Sequence, residues 1–401
     1  MFKCKVTQKK IKPFMSFGSM PLANGFLKKS QFKKEFFYKM EVGFNEDLSL
    51  FQLAEQPEAK LMFNKDYPFF TSSSNFMINH FRLFSKWLKK NNYLKNNYNL
   101  IEIGSNDGTF LTNFKNTSIN FFGIEPSKNM SDLSNKKKIP ALNFFFNFEN
   151  VKNLKKSIGK TNLITAANVI CHVQDLNSLI LGIDLLLNKK GVFIFEEPYL
   201  GSMYSKVSYD QIYDEHVFMF SAHSVKKIFN IYGFDLIDVI PQVTHGGSMR
   251  YVIGRANEHK ITKNVEKILQ YEKKNKIDSF EGCLNFKKKC LESKFLLKEK
   301  INRMKSMDKK IVGYGATSKS TTILNYCGIN SKHINCIFDT TKEKVGKFTP
   351  GTHIPIVNMK DFNKYNKDYV YLFAWNHKDE IFRKEKKFKK DGGKWFSHVK
   401  L

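Results

Sequence analysis

The sequence predicts an α/β protein with two units of largely parallel sheet. Three observations carry this. From residue 76 onward, strand-like apolar runs alternate with segments of helical periodicity, which is the pattern of a parallel sheet covered on both faces. Two of the runs end in a glycine-containing turn that opens a helix, "LIEIGSNDGTFL" and "KKIVGYGATSKS". And 42% of the 401 residues are hydrophobic, yet no apolar run approaches the ~20 residues that span a bilayer, so the apolar segments belong to cores.

Residues 1–75 show mixed short-range patterning with turn signals in "SFGSMPLANGF", and form a small N-terminal domain. Within it "FFYKM" and "LSLFQL" read as strands. Residues 76–255 form the first α/β domain. It opens with an amphipathic helix, "NFMINHFRLFSKWLKKN", and continues through the strands "NLIEIGS", "INFFGIEPS", "IPALNFFF", "TNLITAANVI", "GVFIFEEPYL", "FDLIDVIPQV" and "SMRYVIGRA". Residues 256–401 begin with Lys/Glu-rich connecting helices. A second, smaller α/β unit follows, with strands in "KKIVGYG", "INCIFDT" and "DYVYLFAWN".

The net charge of +29 raises a nucleic-acid reading. The surplus is mostly lysine spread along the chain, and no helix-turn-helix, zinc-finger or RNA-binding signature accompanies it, so no specific nucleic acid is expected. The basic N-terminus is not followed by an apolar stretch of signal-peptide length, and a cytoplasmic protein is expected. The six cysteines are scattered without a C-x-x-C pair, as suits a reducing compartment.

The first glycine turn places Glu102, Gly104, Asn106, Asp107 and Gly108 where a strand becomes a helix. Glycines there let a ligand approach the backbone. The dinucleotide fingerprint G-x-G-x-x-G is absent. One strand later Glu125 and Pro126 stand at a strand end, where a carboxylate can accept both hydroxyls of a ribose. Acidic groups in the turn disfavour a pyrophosphate and welcome a cation. S-adenosylmethionine, with its sulfonium, ammonium and adenosine, fits this pattern better than NAD.

A second constellation lies beyond the strand "GVFIFEEPYL", in "SYDQIYDEHVFMF". Ligands of open α/β sheets bind past the carboxyl ends of strands. Tyr199, Tyr213, Glu215 and His216 are therefore expected at the mouth of the same cleft as Asn168 and His172 from the preceding strand end. Histidine is the natural base near neutral pH, and Glu215 is placed to orient its ring. In the second unit, Gly313, Gly315, Ser318 and Lys319 form a strand–loop–helix turn without the full P-loop spacing. A diphosphate can rest on such a helix N-terminus. His245 and Arg250, in "HGGSMR", are placed near the same ligand, as are Asp339, Trp375 and Asn376.

With these residues in hand, the chain resembles the S-adenosylmethionine-dependent C-methyltransferases of nucleotide-linked deoxysugars. The matching stretches run in order along nearly the whole chain: "PLANGF", "YPFFTSSS", "EIGSNDGTFL", "ANVICHV", "FEEPYLG", "YDQIYDEHVFMFS", "HGGSMRY", "VGYGATSKS", "FDTTKEKVGKFTPGTHIPI" and "FAWNHKDEI". The resemblance implies a central class I methyltransferase Rossmann-like domain, a small N-terminal zinc-binding domain, and a second Rossmann-like C-terminal domain that helps hold a nucleotide-diphosphate sugar. It implies His216 as the base for the sugar C-3 proton, supported by Tyr213 and Glu215. It also implies that Tyr67 reaches in from the N-terminal domain and that Asn168 and His172 line the sugar pocket. Of the family's four zinc ligands only Cys4 remains; Thr7, Asn45 and Leu48 stand at the others, so no metal is expected. A monomer or weak homo-oligomer is expected.

Two other classes stay open on sequence. An NAD-dependent nucleotide-sugar oxidoreductase or epimerase would use "VGYGATSK" and Asp339. A basic nucleic-acid-binding or scaffold protein would use the charge alone.

Overall fold

A computed structural model describes residues 2–58, Met62 and residues 70–401. The strands among them form four sheets. β1 (Phe2–Lys3) and β2 (Lys10–Ile11) make a two-stranded ribbon. β3 (Pro13–Pro21), β4 (Phe37–Asn45) and β5 (Leu50–Leu53) make an antiparallel N-terminal sheet.

The central sheet has seven strands: β6 (Asn99–Ile103), β7 (Asn120–Ile124), β8 (Ala141–Leu142), β9 (Thr161–Ala167), β10 (Leu187–Pro198), β12 (Phe234–Gln242) and β13 (Ser248–Arg255). Their order is β12-β13-β10-β9-β6-β7-β8. Only β13 runs against its neighbours. Doubly wound order around β6, with one reversed strand beside the far edge, is the class I methyltransferase arrangement. The parallel strands are buried on both faces, which explains their unbroken apolar runs. The "IPALNFFF" run yields a strand of two residues only. There the Asn135 side chain bonds both the N–H and the carbonyl of Ala141, at 2.9 Å each. Beyond it, Asn143 turns back to the carbonyls of Glu125 and Pro126.

Helix α1 (Asn75–Lys90) covers one face of this sheet. Ser74 caps it by accepting from the N–H of Met77, and Met77, His80, Phe81, Phe84 and Leu88 form its buried stripe at helical spacing. Helices α2 (Lys128–Lys136), α3 (Phe148–Ile158), α4 (Leu176–Leu186), α5 (Leu200–Lys206) and α6 (Ala222–Asn230) follow in turn.

The connecting helices α7 (Lys263–Lys274) and α8 (Phe280–Ser306) lead to a fully parallel five-stranded sheet. Its order is β16 (Ile356–Asn358), β15 (Ile337–Asp339), β14 (Ile311–Tyr314), β17 (Tyr369–Leu372) and β18 (Lys394–Phe396). Helix α9 (Ser318–Cys327) opens after β14, capped by Thr317 and closed by Gly328 in the left-handed conformation. α8 is not merely a solvated connector. Its Cys283, Phe286, Cys290, Leu297 and Ile301 share one core with Phe14, Phe17 and Met40 of the N-terminal sheet and with Ile323 and Leu324 of α9.

One strand ties the parts together. β11 (Phe218–Met219), which directly follows His216 and Val217, pairs with β5 as the fourth strand of the N-terminal sheet. Among the described residues, no helix is long and apolar enough to cross a membrane.

Candidate active site

At the carboxyl ends of β6 and β7 the backbone is shaped by close packing. Gly104 has φ +67°, and a Cβ there would lie 2.3 Å from a Val169 methyl carbon; Gly108 has φ +76°, and a Cβ would lie 2.5 Å from Ser134 Oγ. Glu125 organises the turn. Its two oxygens accept from the N–H groups of Asn106 and Ser127, each at 2.8 Å. Burial raises its pKa against those bonds. Each carboxylate oxygen keeps acceptor capacity for a ligand hydroxyl. Asp107 does not serve as a ligand for a cation from outside: it is fully buried, accepts from Thr109 and from the N–H of Ser72, and pairs with Lys137 at 3.1 Å.

Glu102 is the acid left over. It is 4% exposed, its Oε2 has no partner, and burial, with Glu125 and Asp107 nearby, pushes its pKa well up. The Ser105 and Ser127 hydroxyls and Asn168 Oδ1 are likewise buried and unbonded. A buried, unbonded acid with unbonded hydroxyl and amide oxygens at the same strand ends suits a ligand that brings an ammonium group and hydroxyls. Asn168 sits there at φ +57°, with its N–H on the Glu196 carbonyl. The loop after it is built by Glu197, whose Oε1 accepts from the N–H groups of Val169, Ile170 and Cys171 at 2.9, 2.6 and 3.3 Å. Burial still pushes Glu197 up to about 7.

His216 is 6% exposed. Nδ1 lies 2.7 Å from the Gln211 carbonyl, which can only accept, so Nδ1 carries the proton. Nε2 is then the basic nitrogen and accepts from the Tyr213 hydroxyl at 2.7 Å. The His172 ring lies 5.3 Å away, centroid to centroid. Burial first, and then the neighbouring His172, His245 and Lys319, which disfavour a second positive charge, hold His216 well below the ordinary imidazole range. Burial alone brings His172 down to about 4. Both rings are neutral at physiological pH.

Glu215 does not orient His216. Its carboxylate turns the other way and accepts from Asn24 Nδ2 at 2.6 Å, while the Asn24 amide oxygen accepts from Ser318 Oγ at 3.0 Å. The preceding Asp214 accepts from the Ala23 N–H, and Thr321 donates to the Ala23 carbonyl. The "PLANGF" loop is thus wedged between the "YDEH" stretch and α9. Burial raises the pKa of both Asp214 and Glu215. A folded pKa above the ordinary range stabilises at low pH and is lost as pH rises through it. Glu215→Gln should therefore gain stability relative to the parent as pH is raised from about 5 to 8, read by urea midpoints. A pH-independent difference would remove the charge from this junction.

The C-terminal unit contributes Lys319, which is 8% exposed, bonded to Asn376 Oδ1 at 3.1 Å and 4.8 Å above the Trp375 ring. Trp375 donates to Asp210 at 2.6 Å and packs on Gly246. His245, at φ +52°, is pushed down to about 3 by burial and by Lys319. Besides Asp107 and Glu215, four further sequence assignments change. Arg250 is spent on structure: it donates to Glu196 at 2.7 Å and stacks on Phe84 and Trp87. Tyr199 lies in the central core with Phe220 and Tyr251. Gly313 lies inside β14, where a Cβ would meet Phe373 and Ile337. Asp339 holds its own loop, accepting from the N–H groups of Ala316 and Thr341 at 2.7 Å each. Tyr67 lies outside the described residues. Asn24, Asp210 and Gln211 were missed. Asn24 had a signal, since "PLANGF" stood among the matching stretches without a residue being assigned.

The strand order of the central sheet is that of a class I methyltransferase. Three family models match consecutive parts of the chain: "Putative zinc binding domain" over residues 4–63, "Methyltransferase domain" over 76–239 and "C-methyltransferase C-terminal domain" over 243–399. The chain belongs to the S-adenosylmethionine-dependent C-methyltransferases. The C-methyltransferase NovU of Streptomyces niveus is 27% identical over 383 residues, covering 95% of this chain and 91% of that one. Among solved structures, an S-adenosylmethionine-dependent methyltransferase from Anabaena variabilis ATCC 29413 is 18% identical with a TM-score of 0.35, covering 43% of this chain and 84% of that one. The magnesium protoporphyrin IX methyltransferase of Synechocystis PCC 6803 is 14% identical with a TM-score of 0.35, covering 45% and 83%.

Proposed function

We propose that this methyltransferase acts on C-3 of a nucleotide-linked 4-keto-deoxysugar, with His216 as the base. The observation that carries this reading is the His216 ring itself: its tautomer is set by Gln211, so Nε2 is the acceptor, and burial keeps it neutral and ready to accept. A 4-keto group acidifies the C-3 hydrogen. Nε2 takes that proton, and the Tyr213 hydroxyl turns away from Nε2 as the imidazolium forms. Negative charge then develops on the sugar 4-oxygen. Asn168 and His172, flanking the turn that Glu197 holds, would stabilise such an oxyanion. S-adenosylmethionine, when bound, supplies an electrophilic methyl group. Glu125 would hold its ribose hydroxyls and Glu102 its ammonium. Lys319 and the N-terminus of α9 supply positive potential for a diphosphate. The division into residues 1–75, 76–255 and 256–401 matches these tasks: a small cap, a methyl-donor domain and a nucleotide-sugar domain.

The N-terminal part is proposed to work without zinc. The positions expected to bind it present one thiol, one hydroxyl, one amide and an alkyl chain. Asn45 bonds Thr7 at 3.2 Å and the Leu48 N–H at 2.9 Å, while Cys4 and Leu48 are buried in the core. Leucine offers no donor atom to a tetrahedral site.

Calorimetric titration with S-adenosylhomocysteine beside NADH, followed by incubation with nucleotide-linked 4-keto-deoxysugars, tests the proposal. One-to-one binding of the former alone, and a C-3 methyl product, are expected. Methylation at another atom would overturn the assignment. Glu125→Ala should weaken S-adenosylhomocysteine by roughly 10- to 100-fold, the worth of hydrogen bonds to a charged group. Unchanged affinity would remove Glu125 from the ribose site.

A further inference from the structure

We propose that Cys171, His172 and His216 form a binding site for a thiophilic divalent cation such as Zn²⁺, which inhibits the protein. The Cys171 sulfur and one ring nitrogen of each histidine lie within 4.8 Å of one another, and with His216 Nδ1 held by the Gln211 carbonyl, Nε2 is the nitrogen His216 has to offer. Chain geometry holds them there. The N–H of Val217, next to His216, bonds the Cys171 carbonyl at 2.8 Å and fastens the two segments side by side. Glu197 pins the turn from Val169 to Cys171 from behind.

Zinc–nitrogen bonds of about 2.0–2.1 Å and a zinc–sulfur bond of about 2.3 Å put tetrahedral donors roughly 3.3–3.6 Å apart. Side-chain shifts of about 1 Å therefore convert the present spacing into a three-ligand site with an open fourth position. One thiolate and two imidazoles select zinc, cobalt and cadmium over magnesium or calcium. On binding, the Cys171 thiol proton leaves to solvent as the sulfur–metal bond forms. His216 Nε2 exchanges its hydrogen bond from Tyr213 for a metal bond. The metal then occupies the nitrogen that the proposed reaction uses as base. The inhibition rests on that reading; the metal site does not.

The full chain, freed of metal by chelation, is titrated with Co²⁺ and followed by absorption. One equivalent should bind with a thiolate-to-cobalt charge-transfer band, displaced by Zn²⁺. Cys171→Ala should lose the band and bind at least about tenfold more weakly, while keeping its affinity for S-adenosylhomocysteine as a sign of folding. Cys4→Ala should leave the band intact. Absence of the band, its survival in Cys171→Ala, or its loss in Cys4→Ala would each overturn the site. In methyl transfer, Zn²⁺ should inhibit the parent and inhibit Cys171→Ala at least about tenfold less. Metal bound at Cys171 without inhibition would leave the site standing and overturn the base reading.

Discussion

Alanine in place of His216 is expected to slow C-3 proton exchange in deuterated buffer by about 10²- to 10⁴-fold, the worth of a positioned general base, and methyl transfer with it. Affinity for S-adenosylhomocysteine should change little, because Glu102 and Glu125 lie at the ends of other strands. The split between chemistry and binding separates a base from a structural histidine. Tyr213→Phe should keep the ring in place through Gln211 and show a smaller loss. Exchange at the parental rate in the His216 variant would reassign the base.

Arg250→Leu is expected to cost about 3–5 kcal/mol of stability, read as a fall in the urea midpoint. Arg250 is 4% exposed and faces Glu196, which is 1% exposed and which His80 also contacts at 2.6 Å. Arg250 and His80 together hold the Glu196 carboxyl below its ordinary range despite burial. Removing the guanidinium strands a charge in the interior and leaves a gap between Phe84 and Trp87. Adding Glu196→Gln to the variant should restore part of the loss, since the uncompensated charge is then gone. A fully folded Arg250→Leu protein with weakened substrate binding would instead return Arg250 to the cleft.

The parallel strands were legible because burial on both faces writes them as continuous apolar runs. "IPALNFFF" had the same composition and failed, because the Asn135 side chain takes up the backbone of Ala141 and Asn143 turns its side chain back to the Glu125 carbonyl at the sheet edge. The sequence named candidate site residues but carried no sign of the contacts they make. Glu215 and His216 are neighbours in sequence, yet the turn from Tyr213 to His216 sends one toward Asn24 and the other toward Gln211. Arg250 carried no mark that its charge would be spent on Glu196, since its stacking partners lie on a helix some 160 residues earlier. Asn24 lay in a loop whose partners are nearly 200 and 300 residues away.

The pairing of β11 with β5 has a bearing on how this chain can be cut or recombined. A fragment trimmed to the methyltransferase region alone would leave Phe218 and Met219 without the strand that receives them, just after His216. Grafting a foreign cap onto the chain would have to reproduce that one short pairing before any chemistry returned. The N-terminal sheet is thus not an accessory that can be exchanged freely, and recombination breakpoints that respect it are those that carry residues 37–53 together with 209–221.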